Sequence, residues 1–216
     1  MTIRKRCDKI RKKLKAVYPG VKTQLTHETP FQLLCATILS AQCTDRQVNQ
    51  TTPALFAAYP TAEAMTHAPL PDIERLIHAT GFFRNKAKNL SACARTLVDR
   101  HGGRVPDTLD ALVRLPGVGR KTANVVLGGA FGIPGMVVDT HVARISQRLG
   151  LTAHKDPVRI ESDLMALVPK RDWSDFSLRL VYFGREYCQA RSPRCPACPV
   201  TRWCPWMDKT RSKAEG

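Results

Sequence analysis

Four cysteines near the C-terminus, Cys188, Cys195, Cys198 and Cys204, follow the spacing C-x6-C-x2-C-x5-C. Four thiolates suit either a tetrahedral zinc ion or a cubane iron–sulfur cluster. Structural zinc sites usually pair two short Cys-x-x-Cys knuckles, and only one occurs here, which favours a [4Fe-4S] cluster. Pro193, Pro196 and Pro199 stiffen the loops between them, and Arg191 and Arg194 in the six-residue gap either face phosphate or are simply solvated. Cys7, Cys35, Cys43 and Cys93 fall in apolar helical patterns and read as core thiols rather than ligands.

A second group of residues lies mid-chain, in Leu115-Pro116-Gly117-Val118-Gly119-Arg120-Lys121-Thr122-Ala123. Gly117 and Gly119 permit positive φ and remove side-chain bulk in a turn between two short helices, with Leu115 and Val118 anchoring it in the core. Free backbone N–H groups at the following helix start collect partial positive charge, where a phosphodiester can sit. Such contacts position a nucleic-acid backbone without reading its sequence. Gly-x-Gly alone serves an ordinary αα-hairpin equally well, but the full string resembles the helix-hairpin-helix DNA-binding motif. Lys121 falls in the first helical turn, where a cation is disfavoured and the neutral amine that attacks carbon is favoured. A phosphate-binding or solvated lysine is its plainer role. Asp139 directly precedes another helical pattern; it fits an N-cap, and a capped carboxylate can also stabilise positive charge developing on a sugar or help activate a nucleophile.

The elements that must hold these residues are helical. Apolar residues recur at three- and four-residue spacings rather than in alternation, so the chain is predicted to be all-α. Ile3, Cys7, Ile10, Leu14 and Val17 make one stripe, leaving Arg4, Lys5, Arg6, Arg11, Lys12, Lys13 and Lys15 on the rest of a basic cylinder. Thr29-Pro30 starts a helix whose run to Ala41 is apolar on most sides and must be buried. Further helices are predicted over 44–58, 61–67, 71–79 and 85–101, then over 108–114, 120–130, 140–149, 157–167 and 173–187. Gly132-Ile133-Pro134-Gly135 is the strongest internal break and places a domain boundary near 135.

The 216 residues are 43% hydrophobic, enough for a sizeable core as one large or two small domains. Lys and Arg number 34 against 18 Asp and Glu, a formal charge of +16 that calls for a polyanionic partner. No membrane span or signal-peptide core is expected, because the N-terminus runs into charge. An intracellular protein is the expectation.

Taken together, the hairpin with Lys121, the downstream Asp139 and the cysteine spacing resemble the endonuclease III family of base-excision DNA glycosylases with abasic-site lyase activity. The resemblance runs from about residue 20 to residue 206, with three separated motifs in the family's order. It implies two helical domains with a DNA-binding cleft between them. One is a six-helix domain at 22–134 containing the hairpin, and the other joins 1–21 to 135–216 with the [4Fe-4S] cluster on Cys188, Cys195, Cys198 and Cys204. It further implies that Lys121 attacks C1′ of a flipped nucleotide, expels an oxidised pyrimidine and forms a Schiff base, with Asp139 assisting before β-elimination. Leu115, Gly117, Val118, Gly119 and Arg120 would meet the DNA backbone. Gln42 matches the glutamine inserted into the vacated stack, and Cys43 after it is a departure from the usual alanine. Phe82 stands where many members carry a leucine wedge, which changes wedge geometry. His141 matches a family histidine near the site, or is an ordinary helix-start histidine. The implied partner is double-stranded DNA with damaged pyrimidines or abasic sites, bound by a monomer in a bacterial cytoplasm, on the nucleoid.

Two other readings compete. An adenine-mismatch glycosylase shares hairpin and cluster but needs a glutamate in the first buried helix, where Cys35-Ala36-Thr37-Ile38 has no carboxylate. A non-catalytic iron–sulfur DNA-binding module would leave Lys121 and Asp139 as coincidences.

Overall fold

The computed structural model describes residues 1–207. All regular structure among them is helical: α1 (Ile3–Val17), α2 (Pro30–Leu39), α3 (Asp45–Ala58), α4 (Ala62–Thr66), α5 (Leu70–Ile77), α6 (Phe83–His101), α7 (Leu109–Leu112), α8 (Arg120–Ala130), α9 (Thr140–Arg148), α10 (Pro157–Leu167) and α11 (Trp173–Glu186), with three single turns of 3₁₀ helix. Local signals set many of the starts. Thr2, Thr29, Thr44, Thr61 and Thr108 cap α1, α2, α3, α4 and α7, each hydroxyl accepting the N–H three residues on. The helix expected to reach Ala41 stops at Leu39, because Ser40 turns its hydroxyl back to the Thr37 carbonyl and Gln42 leaves helical space at φ 52°. The helix expected from Asn85 already starts at Phe83.

The chain divides into two compact units, one of residues Thr23–Ile133 and one joining Met1–Lys22 to the chain from Pro134 onward. In the first, α2 is the centre. Its residues Phe31 and Leu33 to Leu39 are all buried, and α3, α6 and α8 pack round it. The approach of α8 is close: a Cβ added to Gly129 would come within 2.7 Å of Leu33 Cδ2. α6 in turn carries α4 and α5. Enclosing a leucine such as Leu34 or Leu39 stabilises by about 1.5–3 kcal/mol relative to exposure.

In the second unit, α1 and α9 both lie on α11, while α10 touches α1 and α9. The core is Ile10 and Leu14 from α1, Val142 and Ile145 from α9, Leu164 from α10, and Phe176, Leu180 and Phe183 from α11. The basic cylinder of α1 is less uniform than its periodicity predicts. Ile3 is exposed, and two arginines turn inward: Arg6 donates to the Gly150 carbonyl at 3.2 Å, and Arg11 pairs with Asp8 and Asp172. Lys5, Lys9, Lys12, Lys13 and Lys15 remain exposed.

Truncating Ile10 to Ala is expected to cost about 3 kcal/mol through the cavity it opens, read as a lowered urea midpoint, while Lys13→Ala should stay within about 0.5 kcal/mol.

Candidate nucleic-acid interface and catalytic residues

The hairpin is built on two buried side chains. Leu115 and Val118 are only 3% and 6% exposed and join the core with Ala123, Val126 and Leu127. Between them the Val118 N–H donates to the Leu115 carbonyl at 3.1 Å, closing a tight turn. Gly117 turns at φ 74°, and a Cβ there would come within 2.8 Å of the Asn89 side chain on α6. Glycine is therefore required twice over, for backbone and for space. Gly119 does not share the positive φ expected of it; it is extended, at φ −88° and ψ 173°, and is the N-cap of α8. Having no side chain, it leaves the first turn of α8 uncapped at an exposed edge where Gly117, Gly119, Arg120 and Lys121 all face solvent. Lys121 thus stands exposed on a helix start whose N–H groups suit an anion.

Two other residues of this unit have an unusual backbone. Among the described residues, Gln42 at φ 52° and Phe82 at φ 48° are the only ones other than glycine with positive φ. Each such residue costs on the order of 1 kcal/mol or more, and such strain concentrates where function fixes a geometry. Gln42 lies exposed between α2 and α3. Phe82 is 66% exposed, an unfavourable place for an aromatic ring in water. It follows a 3₁₀ turn, His78–Thr80, and a Gly81 at φ 68° and ψ 156°.

Sequence reasoning missed one residue here. Lys86, in the first turn of α6, is only 5% exposed, and its Nζ donates to the Thr80 carbonyl at 2.8 Å. Burial holds its ammonium below the usual lysine range, and the nearby Cys43 acts in the opposite direction. Cys43 itself is half-buried and sits in the turn rather than on a helix, a correction to its reading as a helical core thiol. Cys7, Cys35 and Cys93 are buried.

Asp139 belongs to the other unit. Its Oδ1 accepts the N–H groups of His141 and Val142, each at 2.8 Å, so it caps α9. Its Oδ2 lies 3.3 Å from Nδ1 of His141, which is half-buried. α9 approaches α11 at Gly184, where a Cβ would come within 2.6 Å of Ile145 and 3.2 Å of the His141 ring. This contact sets how far His141 stands from α11.

At its other end α9 holds the cysteine segment. Arg148 donates to the carbonyls of Gln189 and Ala190 at 2.8 and 2.9 Å, stacks over Trp206 at 4.0 Å, and brings Nη1 within 3.5 Å of Cys188 Sγ. Cys204 Sγ is 3.5 Å from the Arg148 carbonyl. Burial pushes the Cys198 thiol up to about 11, and the neighbouring thiols of Cys188, Cys204 and Cys195 add to the rise. None of the four is in a disulfide, and among the described residues no three His, Cys, Asp or Glu side chains are gathered as a metal ion's ligands would be. Arg191 and Arg194 are both exposed; the Arg194 N–H donates to the Tyr187 carbonyl at 2.8 Å and its guanidinium lies 6.0 Å from the Tyr187 ring.

The family described as HhH-GPD superfamily base excision DNA repair protein matches residues 35–170. Endonuclease III of Synechocystis sp. is 56% identical over 193 residues, 89% of this chain and 88% of that protein. Endonuclease III of Escherichia coli K12 is 39% identical over 191 residues, 88% of this chain and 90% of that protein. A solved non-covalent endonuclease III–DNA complex matches with a TM-score of 0.91 at 42% identity, covering 95% of this chain and 96% of that one. A trapped endonuclease III–DNA covalent intermediate matches with the same score and identity over 95% and 97%. On this breadth of identity, and with its hairpin in place, the chain belongs to the endonuclease III family of the HhH-GPD superfamily.

Proposed function

We propose that this protein is a base-excision-repair DNA glycosylase that removes oxidised pyrimidines and cleaves the resulting abasic site by β-elimination. The observation that carries the reading is Lys121, exposed on the uncapped start of α8 directly after the hairpin. The likeness to a covalent endonuclease III–DNA intermediate supports a nucleophile of this kind.

The hairpin's backbone holds a phosphodiester, so the strand is fixed without regard to sequence. Phe82 wedges into the stack and Gln42 presents its amide to the orphaned base, which together favour a flipped nucleotide. A damaged base costs less to unstack, which is one source of selectivity. The Lys121 amine attacks C1′, the base leaves with the electron pair of the glycosidic bond, and the amine loses a proton. The nitrogen lone pair then forms C1′=N as the C1′–O4′ bond opens and O4′ takes a proton. Loss of a proton from C2′ sends its electrons into a C2′–C3′ double bond and expels the 3′ phosphate. Asp139 supplies the carboxylate that stabilises positive charge on the sugar, and His141 and the exposed Arg191 and Arg194 contact DNA.

The spacing C-x6-C-x2-C-x5-C, with its single Cys-x-x-Cys knuckle, suits Cys188, Cys195, Cys198 and Cys204 to a [4Fe-4S] cluster, which they would hold as thiolates. When bound, the cluster supplies a fixed shape to the loop that carries Arg191 and Arg194. Four thiolates on such a core add about −2, leaving the chain near +14, still a strongly basic partner for DNA in the bacterial cytoplasm.

Lys121→Gln should abolish borohydride trapping of a protein–DNA adduct and nicking of abasic duplex; a variant that still nicks would remove this mechanism. Asp139→Asn keeps an equally good cap, so its melting temperature should hold while the excision rate falls at least about 100-fold; Asp139→Ala should lose both, with about 1 kcal/mol from the cap. The purified protein should absorb broadly near 400 nm, and Cys198→Ser should bleach that band; a colourless parent protein would argue for zinc.

A further inference from the structure

Lys86 is a buried cation that the proposed chemistry does not use. Its side chain is 5% exposed, and its Nζ donates to the Thr80 carbonyl at 2.8 Å. Its own N–H donates to the Phe82 carbonyl at 3.1 Å, so one residue holds the turn from both flanks of Gly81-Phe82. Thr80 is itself buried, with its hydroxyl returned to the Ile77 carbonyl at 2.8 Å. The turn therefore hangs on a fixed point, and the strained Phe82 is held projecting although its ring has no enclosure. Phe82, one of the two non-glycine residues with positive φ among the described residues, thus lies between two bonds to a single buried lysine. An apolar side chain would fill this place without the desolvation cost of an ammonium, so the charge needs a reason beyond packing.

We propose that Lys86 is a positioning residue for the turn that presents Phe82, tying down the Thr80 carbonyl so that a buried cation sets the direction of the wedge. The assignment rests on the reading of Phe82 and Gln42 as the inserted residues. The ammonium gives the buried Thr80 carbonyl an N–H donor, which a methionine of similar length cannot do.

The test uses the full-length protein and a duplex carrying a tetrahydrofuran abasic analogue with 2-aminopurine opposite, a base that brightens when unstacked. Phe82→Ala and Gln42→Ala should each lower the fluorescence gained on binding. Lys86→Met should lower it at least by half and weaken binding about 10-fold, the scale of one lost charge-assisted hydrogen bond, with a melting temperature within about 5 °C of the parent. Lys86→Arg, which keeps a donor for the carbonyl, should recover most of the signal. Full fluorescence and affinity in Lys86→Met, while Phe82→Ala loses them, would overturn the role of Lys86 alone. If Phe82→Ala and Gln42→Ala both keep the parent signal, the inserted-residue reading fails first. Should Lys86→Met not fold, Lys86→Leu, which likewise has no donor for the Thr80 carbonyl, carries the same comparison, and a parent-like signal there overturns the proposal.

Discussion

α2 is apolar on nearly every side, so it is stable only when enclosed, and three helices of its unit, α3, α6 and α8, supply that enclosure. Much of the site follows from this. Gln42 lies just beyond the end of α2, Phe82 just before the start of α6, and Lys121 in the first turn of α8. Each of these three residues is thus at the end of α2 itself or of a helix whose body is locked against it. The hairpin is tied in as well, since Gly117 rests against Asn89 of α6 while Leu115 and Val118 enter the core. Close-packed interiors do not deform continuously, so helix ends mounted on one core keep their spacing when they meet a duplex.

The second unit uses a comparable economy along α9. Asp139 caps its start with two hydrogen bonds, and Arg148 near its end grips the backbone at Gln189 and Ala190 and approaches Cys188. One nine-residue helix therefore joins the proposed catalytic carboxylate to the cysteine segment. The cap also keeps a carboxylate in place that would otherwise be free to rotate, so stabilising the helix and orienting the group are the same two bonds.

Most of this architecture was legible from the residues alone, and what escaped did so for physical reasons. Apolar spacings, with the Thr29 cap of α2, located the helices, because both act through local geometry. The burial of α2 was legible from an apolar run with no polar face. Lys86 was not, since periodicity assigns lysine to solvent and only the three-dimensional turn shows which carbonyl it must satisfy. The positive φ of Gln42 and Phe82 was hidden for a related reason: neither residue type favours that region, so tertiary contacts impose it against propensity. Arg6 and Arg11 misled in the same way as Lys86, being charged residues of a basic helix that find carbonyl or carboxylate partners inside the unit. Cys43, assigned to a helix by its neighbours, lies instead in the turn after α2.

Charge and discrimination are carried by different residues in this protein. The formal +16 draws in any DNA, and each phosphate neutralised lowers log K by about 0.9 per tenfold rise in salt, whatever the sequence or damage. Selection of a damaged nucleotide needs groups whose contact exists only once the stack has opened, and on the proposed reading these are the uncharged ring of Phe82 and the uncharged amide of Gln42 on strained turns. Rigidity matters more there than affinity. A wedge free to fold back would find its own protein surface before it found a gap in the duplex, and an exposed phenylalanine has every hydrophobic reason to do so. Holding Phe82 outward by its backbone is therefore what keeps the ring available, and the residues that hold it contribute to recognition without touching DNA.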